Sequence, residues 1–145
     1  MKKLLVLILI AILLLSACST GENDDGVIVI TERFFVTQTL EIFGNSSRYI
    51  GSTIRLEGIF LTTTPFAGDE RHFVIRNTYG CCSPTELIGF ELYLGDDFTP
   101  LQTDAWVEVA GILERYTDHR NFEFLRLEVV SLTEKNERGA EFVSQ

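Results

Sequence analysis

Thr53-Ile-Arg-Leu-Glu-Gly-Ile-Phe-Leu-Thr-Thr63 is the stretch on which the reading of the fold turns. Ile54, Leu56, Gly58 and Phe60 alternate with Arg55, Glu57, Ile59 and Leu61, the period-two pattern of a strand. A glycine inside such a pattern marks a bulge or a sharp bend, which is how a small barrel turns its corners. A second segment, Ala105 to Tyr116, repeats the device: Val107, Val109, Gly111 and Leu113 stand opposite Trp106, Glu108, Ala110 and Ile112.

Three further segments alternate in the same way. Arg71 to Thr78 places Phe73 and Ile75 on one side and Val74 and Arg76 on the other. Leu87 to Leu94 sets Ile88, Phe90, Leu92 and Leu94 on one face, and Phe122 to Leu132 closes the series after the turn Asp118-His-Arg-Asn121. Five principal strands with two glycine kinks predict a mainly β fold, a small antiparallel barrel of the OB type, with a β-sandwich as the alternative.

Upstream, Val27 to Ile30 is a short β-branched run that predicts one more strand. Phe35, Val36, Thr39, Leu40, Ile42 and Phe43 follow helical spacing, so a helix is expected from a Thr31 cap to about Phe43, with Glu32 in its first turn and Gly44-Asn45 as its stop. Glu134 to Gln145 is a polar tail with no decisive pattern.

The first 26 residues read as processing and attachment. Lys2-Lys3 precedes the apolar run Leu4 to Leu15, and Leu15-Ser-Ala-Cys18 has the form of a bacterial lipobox. Residues 1–17 are therefore expected to be a signal peptide, Cys18 the lipid-attachment residue, residues 18–26 a tether, and residues 27–145 a single barrel domain. Location then follows: a bacterial cell membrane, lipid-anchored on its extracytoplasmic face, with the acyl chain as the contact to the bilayer.

Loss of Lys2 and Lys3 would take the net charge from −9 to −11, leaving Lys135 and nine scattered arginines. That balance excludes nucleic acid as a partner, because neutralising a phosphate backbone needs clustered cations. It also disfavours anionic headgroups, so attachment is expected through the lipid and not through a basic face. No Ser-His-Asp order, phosphate-cradling glycine loop or HExxH helix is present, which argues against an enzyme.

The chemically distinctive segment is His72-Phe-Val-Ile-Arg-Asn-Thr-Tyr-Gly-Cys-Cys-Ser-Pro-Thr-Glu86. Cys81 and Cys82 admit three readings. They could ligate zinc or another soft metal with His72 and Glu86 as partners, although the CxxC spacing is missing. They could form a strained, easily reduced vicinal disulfide, or simply pack as small apolar residues. Arg76 is expected either to pair with a carboxylate such as Glu91 or to face a ligand. Trp106 is expected in the core, with the barrel rim as the alternative that would make it a binding residue. The Asp96-Asp97 and Asp104 connection lacks the regular oxygen offsets of a calcium loop and reads as solvated.

Tyr49-Ile-Gly-Ser-Thr-Ile-Arg-Leu-Glu-Gly-Ile-Phe60, Phe73-Val-Ile-Arg76 leading to Cys81-Cys82, Trp106-Val-Glu-Val-Ala-Gly111 and Arg138-Gly-Ala-Glu-Phe142 together resemble a family of uncharacterised bacterial permease subunits. The resemblance covers most of the chain beyond residue 18. It implies an extracytoplasmic OB-like domain beside an integral-membrane permease, an accessory or solute-handling role, and a link to metal. Ser83-Pro-Thr-Glu86 stands where members of that family carry Ala-Asp-Ala. The expected function is thus a non-enzymatic, lipid-anchored binding or accessory module; the alternative is a metal-binding or thiol-redox protein working through Cys81-Cys82.

Overall fold

The computed structural model describes residues 26–64, 70–80 and 84–144. The elements are β1 (Val27–Ile30), a 3-10 turn (Glu32–Phe34), α1 (Phe35–Gly44), a second 3-10 turn (Ser46–Arg48), β2 (Thr53–Thr63), β3 (Arg71–Thr78), β4 (Glu86–Tyr93), β5 (Trp106–Thr117), β6 (Glu123–Glu134) and β7 (Phe142–Val143). The expected signal peptide, Cys18 and the expected tether as far as Asp25 lie outside the described residues, as do Cys81 and Cys82.

Strand β2 makes the barrel possible because it changes partner halfway along. Its first half, Thr53 to Ile59, pairs antiparallel with β5, while on its other edge β1 pairs parallel from Thr53 to Leu56 and β3 pairs antiparallel from Ile59 to Thr63. Gly58 sits at the change. A Cβ there would lie 2.6 Å from the Ile75 carbonyl oxygen, so only glycine lets β3 come this close. The other kink, Gly111, coincides with a register shift in the β5–β6 ladder between Ala110 and Gly111, the bulge expected from the sequence.

Strand β3 pairs with β4, β4 pairs with β6, and β6 returns to β5, so β2-β5-β6-β4-β3 closes on itself as a five-stranded barrel. Numbered within the barrel, the closed order is 1-4-5-3-2, the Greek-key connectivity of OB-type barrels. Four of its five seams are antiparallel; the β4–β6 seam is parallel and only three rungs long, Glu91↔Arg126 to Tyr93↔Glu128.

The inward positions fill the barrel as alternation requires: Ile54, Leu56, Phe60, Val74, Phe90, Val107, Val109, Leu113 and Leu127 are buried, and α1 adds Phe35, Val36 and Ile42 to the same core. Burying side chains of this size contributes about 1.5–3 kcal/mol each, which is why a chain with few cross-links can hold this shape. A second, smaller cluster forms on the outer wall from Ile59, Ile75 and Trp106, with Leu61 and Phe73 against it.

Two expectations need correction. The helix begins at Phe35, not Thr31: the Thr31 hydroxyl makes no cap, and Glu32 to Phe34 form a 3-10 turn. The cause is tertiary, since the Glu32 carboxylate is drawn away to Arg76 and to the Ala140 N–H. Leu40 and Phe43 follow helical spacing but face outward, although the Phe43 ring still stacks on Phe90 at 5.2 Å. The tail, which its sequence left undecided, packs: Phe142–Val143 adds a parallel strand to β3, and Arg138 pairs with Asp104.

Candidate functional site

The short β4–β6 seam is bridged from outside by side chains. Glu91 and Tyr93 on β4, Tyr116 on β5 and Arg126 on β6 share the outer wall, with Arg71 at the start of β3. The Tyr116 hydroxyl donates to Glu91 at 2.8 Å, and Arg71 Nη1 stands 3.6 Å from the same carboxylate. Burial, then the Glu91 carboxylate, pushes the Tyr116 hydroxyl up to about 12, so it remains a donor throughout the neutral range.

Arg126 is held as a plate between two rings, its guanidinium 4.1 Å from the Tyr93 centroid and 4.4 Å from that of Tyr116, while Nε donates to Glu114. Arg71 lies 5.4 Å over Phe124, whose ring in turn stacks on Tyr116. Such cation–π contacts fix orientation as well as adding about 0.5–1 kcal/mol each. Four strands, β3, β4, β5 and β6, are thereby riveted across a seam that has only three backbone rungs of its own. Above the rivet is a cleft of about 480 Å³ whose walls include Glu70, Arg71, His72, Glu91, Asp96 and Arg126.

His72 belongs to this end of the molecule. Its Nδ1 lies 3.0 Å from Thr62 Oγ1 and its ring stacks on Phe60. Glu86 is at the opposite end of the β3–β4 hairpin: the rungs His72↔Leu92 and Thr78↔Glu86 are six residues apart, roughly 20 Å along a strand. The two weak metal partners therefore cannot serve one ion together. Glu86 does stand beside the cysteine-bearing connection, since a Cβ on Gly80 would meet its carboxyl group. Among the described residues no group of three His, Cys, Asp or Glu is placed to hold a metal.

Arg76 and Trp106 are brought together, though not as an open site. Each is 2 % exposed. Strand β2 has no ladder partner on one edge between β1 and β3, and Arg76 Nε fills that gap by donating to the Glu57 carbonyl at 2.9 Å. Its Nη1 donates to Glu32 at 3.2 Å and to the Ala140 carbonyl at 2.9 Å, and the guanidinium lies 4.9 Å from the Phe35 ring and 4.8 Å from Trp106. The partner is thus Glu32 and not Glu91, and neither Arg76 nor Trp106 offers surface to a ligand. The alternation of β3 does not reveal this, because Glu32 and Ala140 are remote in sequence.

A different surface gathers several exposed apolar side chains, with Glu86, Glu32 and Arg33 interspersed. Phe34, Leu40, Tyr79, Leu87 and Phe142 are each about half exposed or more. Two adjoining hollows of about 570 and 520 Å³ share Ser144; Leu40, Tyr79 and Leu87 line the first, Phe34 and Phe142 the second. The Tyr79 and Phe142 rings are 5.7 Å apart, which joins the two. Clusters of this kind on a folded chain mark contact surfaces more often than isolated exposed residues do.

Among curated proteins none matches the chain. The profile of the DUF1980 C-terminal domain matches residues 16–143. Since that span includes the whole barrel and both added strands, the chain belongs to the DUF1980 C-terminal domain family.

Proposed function

We propose that the chain is a non-enzymatic accessory module, lipid-anchored through Cys18 on the extracytoplasmic face of a bacterial membrane, that docks an integral-membrane permease. The observation that carries the reading is the apolar face built from Phe34, Leu40, Tyr79, Leu87 and Phe142. A domain of this acidity gains nothing from anionic headgroups, so an apolar face on it suits a protein surface better than lipid. Eight residues from Ser19 to Gly26 reach at most about 28 Å. A partner in the same membrane would then be met at high effective concentration, and a modest contact suffices.

Extraction of the full-length chain in mild detergent is expected to bring down a multi-span membrane protein. Leu40→Asp together with Leu87→Asp is expected to lose that protein, because the hollow would gain two carboxylates beside Glu86; both positions are exposed, so the fold survives. Cys18→Ala should abolish acylation, read as loss of the diacylglyceryl mass and retention of residues 1–17. Recovery of the chain alone, or equal capture by wild type and double variant, would overturn the reading.

One observation favours a second reading, a metal or thiol function at Cys81-Cys82: the Glu86 carboxyl packed against Gly80. It would add a third donor to two thiolates, the smallest protein set zinc accepts. Elemental analysis of the purified chain would then give about one zinc per chain, lost in Cys81→Ser, Cys82→Ser and Glu86→Gln. No metal, and no thiol that titrates in the native protein, would remove this reading.

A further inference from the structure

We infer that the cleft over the β4–β6 seam binds a zwitterionic solute of amino-acid size, its carboxylate on Arg126 and Arg71 and its ammonium on Glu70, Asp96 and Glu91. The inference goes beyond the docking role and does not depend on a permease partner.

The rivet is complete without several of its best donors. Arg126 uses its two faces on Tyr93 and Tyr116 and its Nε edge on Glu114, and among the described residues neither Nη atom of Arg126 donates a hydrogen bond. Arg71 is in the same position: its approach to Glu91 at 3.6 Å is an ion pair without a hydrogen bond, and its plane is occupied by Phe124. Both side chains are largely shielded, 23 % and 15 % exposed. Two guanidinium groups, each held against aromatic rings and each with unused edges, line the same cleft and offer a carboxylate its donors.

Charge decides between ligand classes. The same walls carry Glu70, Glu91 and Asp96, so a simple anion would meet three carboxylates as well as two guanidiniums. Phosphate or sulfate is disfavoured by that surplus and by the acidity of the whole chain. A simple cation would meet the arginines. A ligand with one charge of each sign satisfies both sets, and a cleft of about 480 Å³ is in the range of small-molecule sites.

The test is thermal unfolding of the full-length chain in detergent with each common L-amino acid at millimolar concentration, against acetate, methylammonium, inorganic phosphate and sulfate. At least one amino acid should raise the midpoint by several degrees, while the two half-ligands, acetate and methylammonium, and the two inorganic anions do not. Arg126→Gln should weaken that binding at least tenfold, an order expected for one charge-assisted pair. Asp96→Asn and Glu70→Gln, in exposed positions outside the rivet, should each weaken it too, so the inference stays testable if Arg126→Gln does not fold. No shift with any amino acid, an equal shift with phosphate or sulfate, or undiminished binding by Asp96→Asn and Glu70→Gln would overturn it. Capture of the membrane partner is read separately and is unaffected by either result.

Discussion

Arg76→Ala is expected to destabilise the domain by about 3 kcal/mol, lowering the midpoint of thermal unfolding by about 10 °C. The Glu57 and Ala140 carbonyls would lose their donor and a void would open between Phe35 and Trp106. Arg76→Met restores most of the volume but neither hydrogen bond, so it should recover only part of the loss. Glu32→Gln should cost less, about 1 kcal/mol, because that carboxylate is half exposed and its attraction is screened.

The same constellation gives the domain an acid limb. The Ala140 N–H first, and then the Arg76 guanidinium, hold the Glu32 carboxyl below its ordinary value of 4.5. A carboxylate depressed in the folded state contributes its full stabilisation above the unfolded value and loses it as the pH falls through the folded one. Unfolding midpoints measured from pH 7 downward should therefore fall below about pH 4.5 in a way that Glu32→Gln reduces. Arg76→Met should reduce it only in part, since the Ala140 N–H remains. A Glu32→Gln profile superimposable on wild type would refute the assignment.

Gly89→Ala is expected to be the most damaging alanine substitution among the described glycines, costing about 3 kcal/mol or more, at the upper end for overpacking. The new Cβ would lie 1.9 Å from the Val74 carbonyl oxygen and 2.8 Å from Ile75 Cα. These are backbone atoms, and β3 is hydrogen-bonded to β2 on one side and β4 on the other, so it cannot move away. Gly58→Ala (2.6 Å to the Ile75 carbonyl oxygen) and Gly111→Ala (2.8 Å to that of Glu128) should follow in that order. Circular dichroism melts of the three variants check the ranking; Gly89→Ala within about 1 kcal/mol of wild type, the threshold of a clear packing penalty, would contradict it.

Gly58 and Gly111 could be singled out in advance because each interrupts the inward-facing series of an alternating strand. Gly89 could not. It occupies the opposite face from Ile88, Phe90 and Leu92, where a small residue disturbs no hydrophobic pattern, and its necessity comes from a carbonyl on a neighbouring strand. The cleft was hidden for a related reason. Arg71, Glu91, Tyr93, Tyr116 and Arg126 read one by one as ordinary outward-facing strand residues, and only the parallel β4–β6 seam gathers them.

The sequence by itself determined which segments become the five barrel strands, which side chains fill the barrel and where two of its bends fall, because alternation and inward-facing glycines record the demands of each strand's own backbone. Tertiary structure alone decided the partners of the charged residues: Arg76 joins Glu32 and Ala140, 44 and 64 positions away, and Glu91 joins Tyr116, 25 positions away. A guanidinium or carboxylate leaves no trace of its partner in local spacing, since its few strong hydrogen bonds are satisfied by whichever groups the closed barrel brings within about 3 Å.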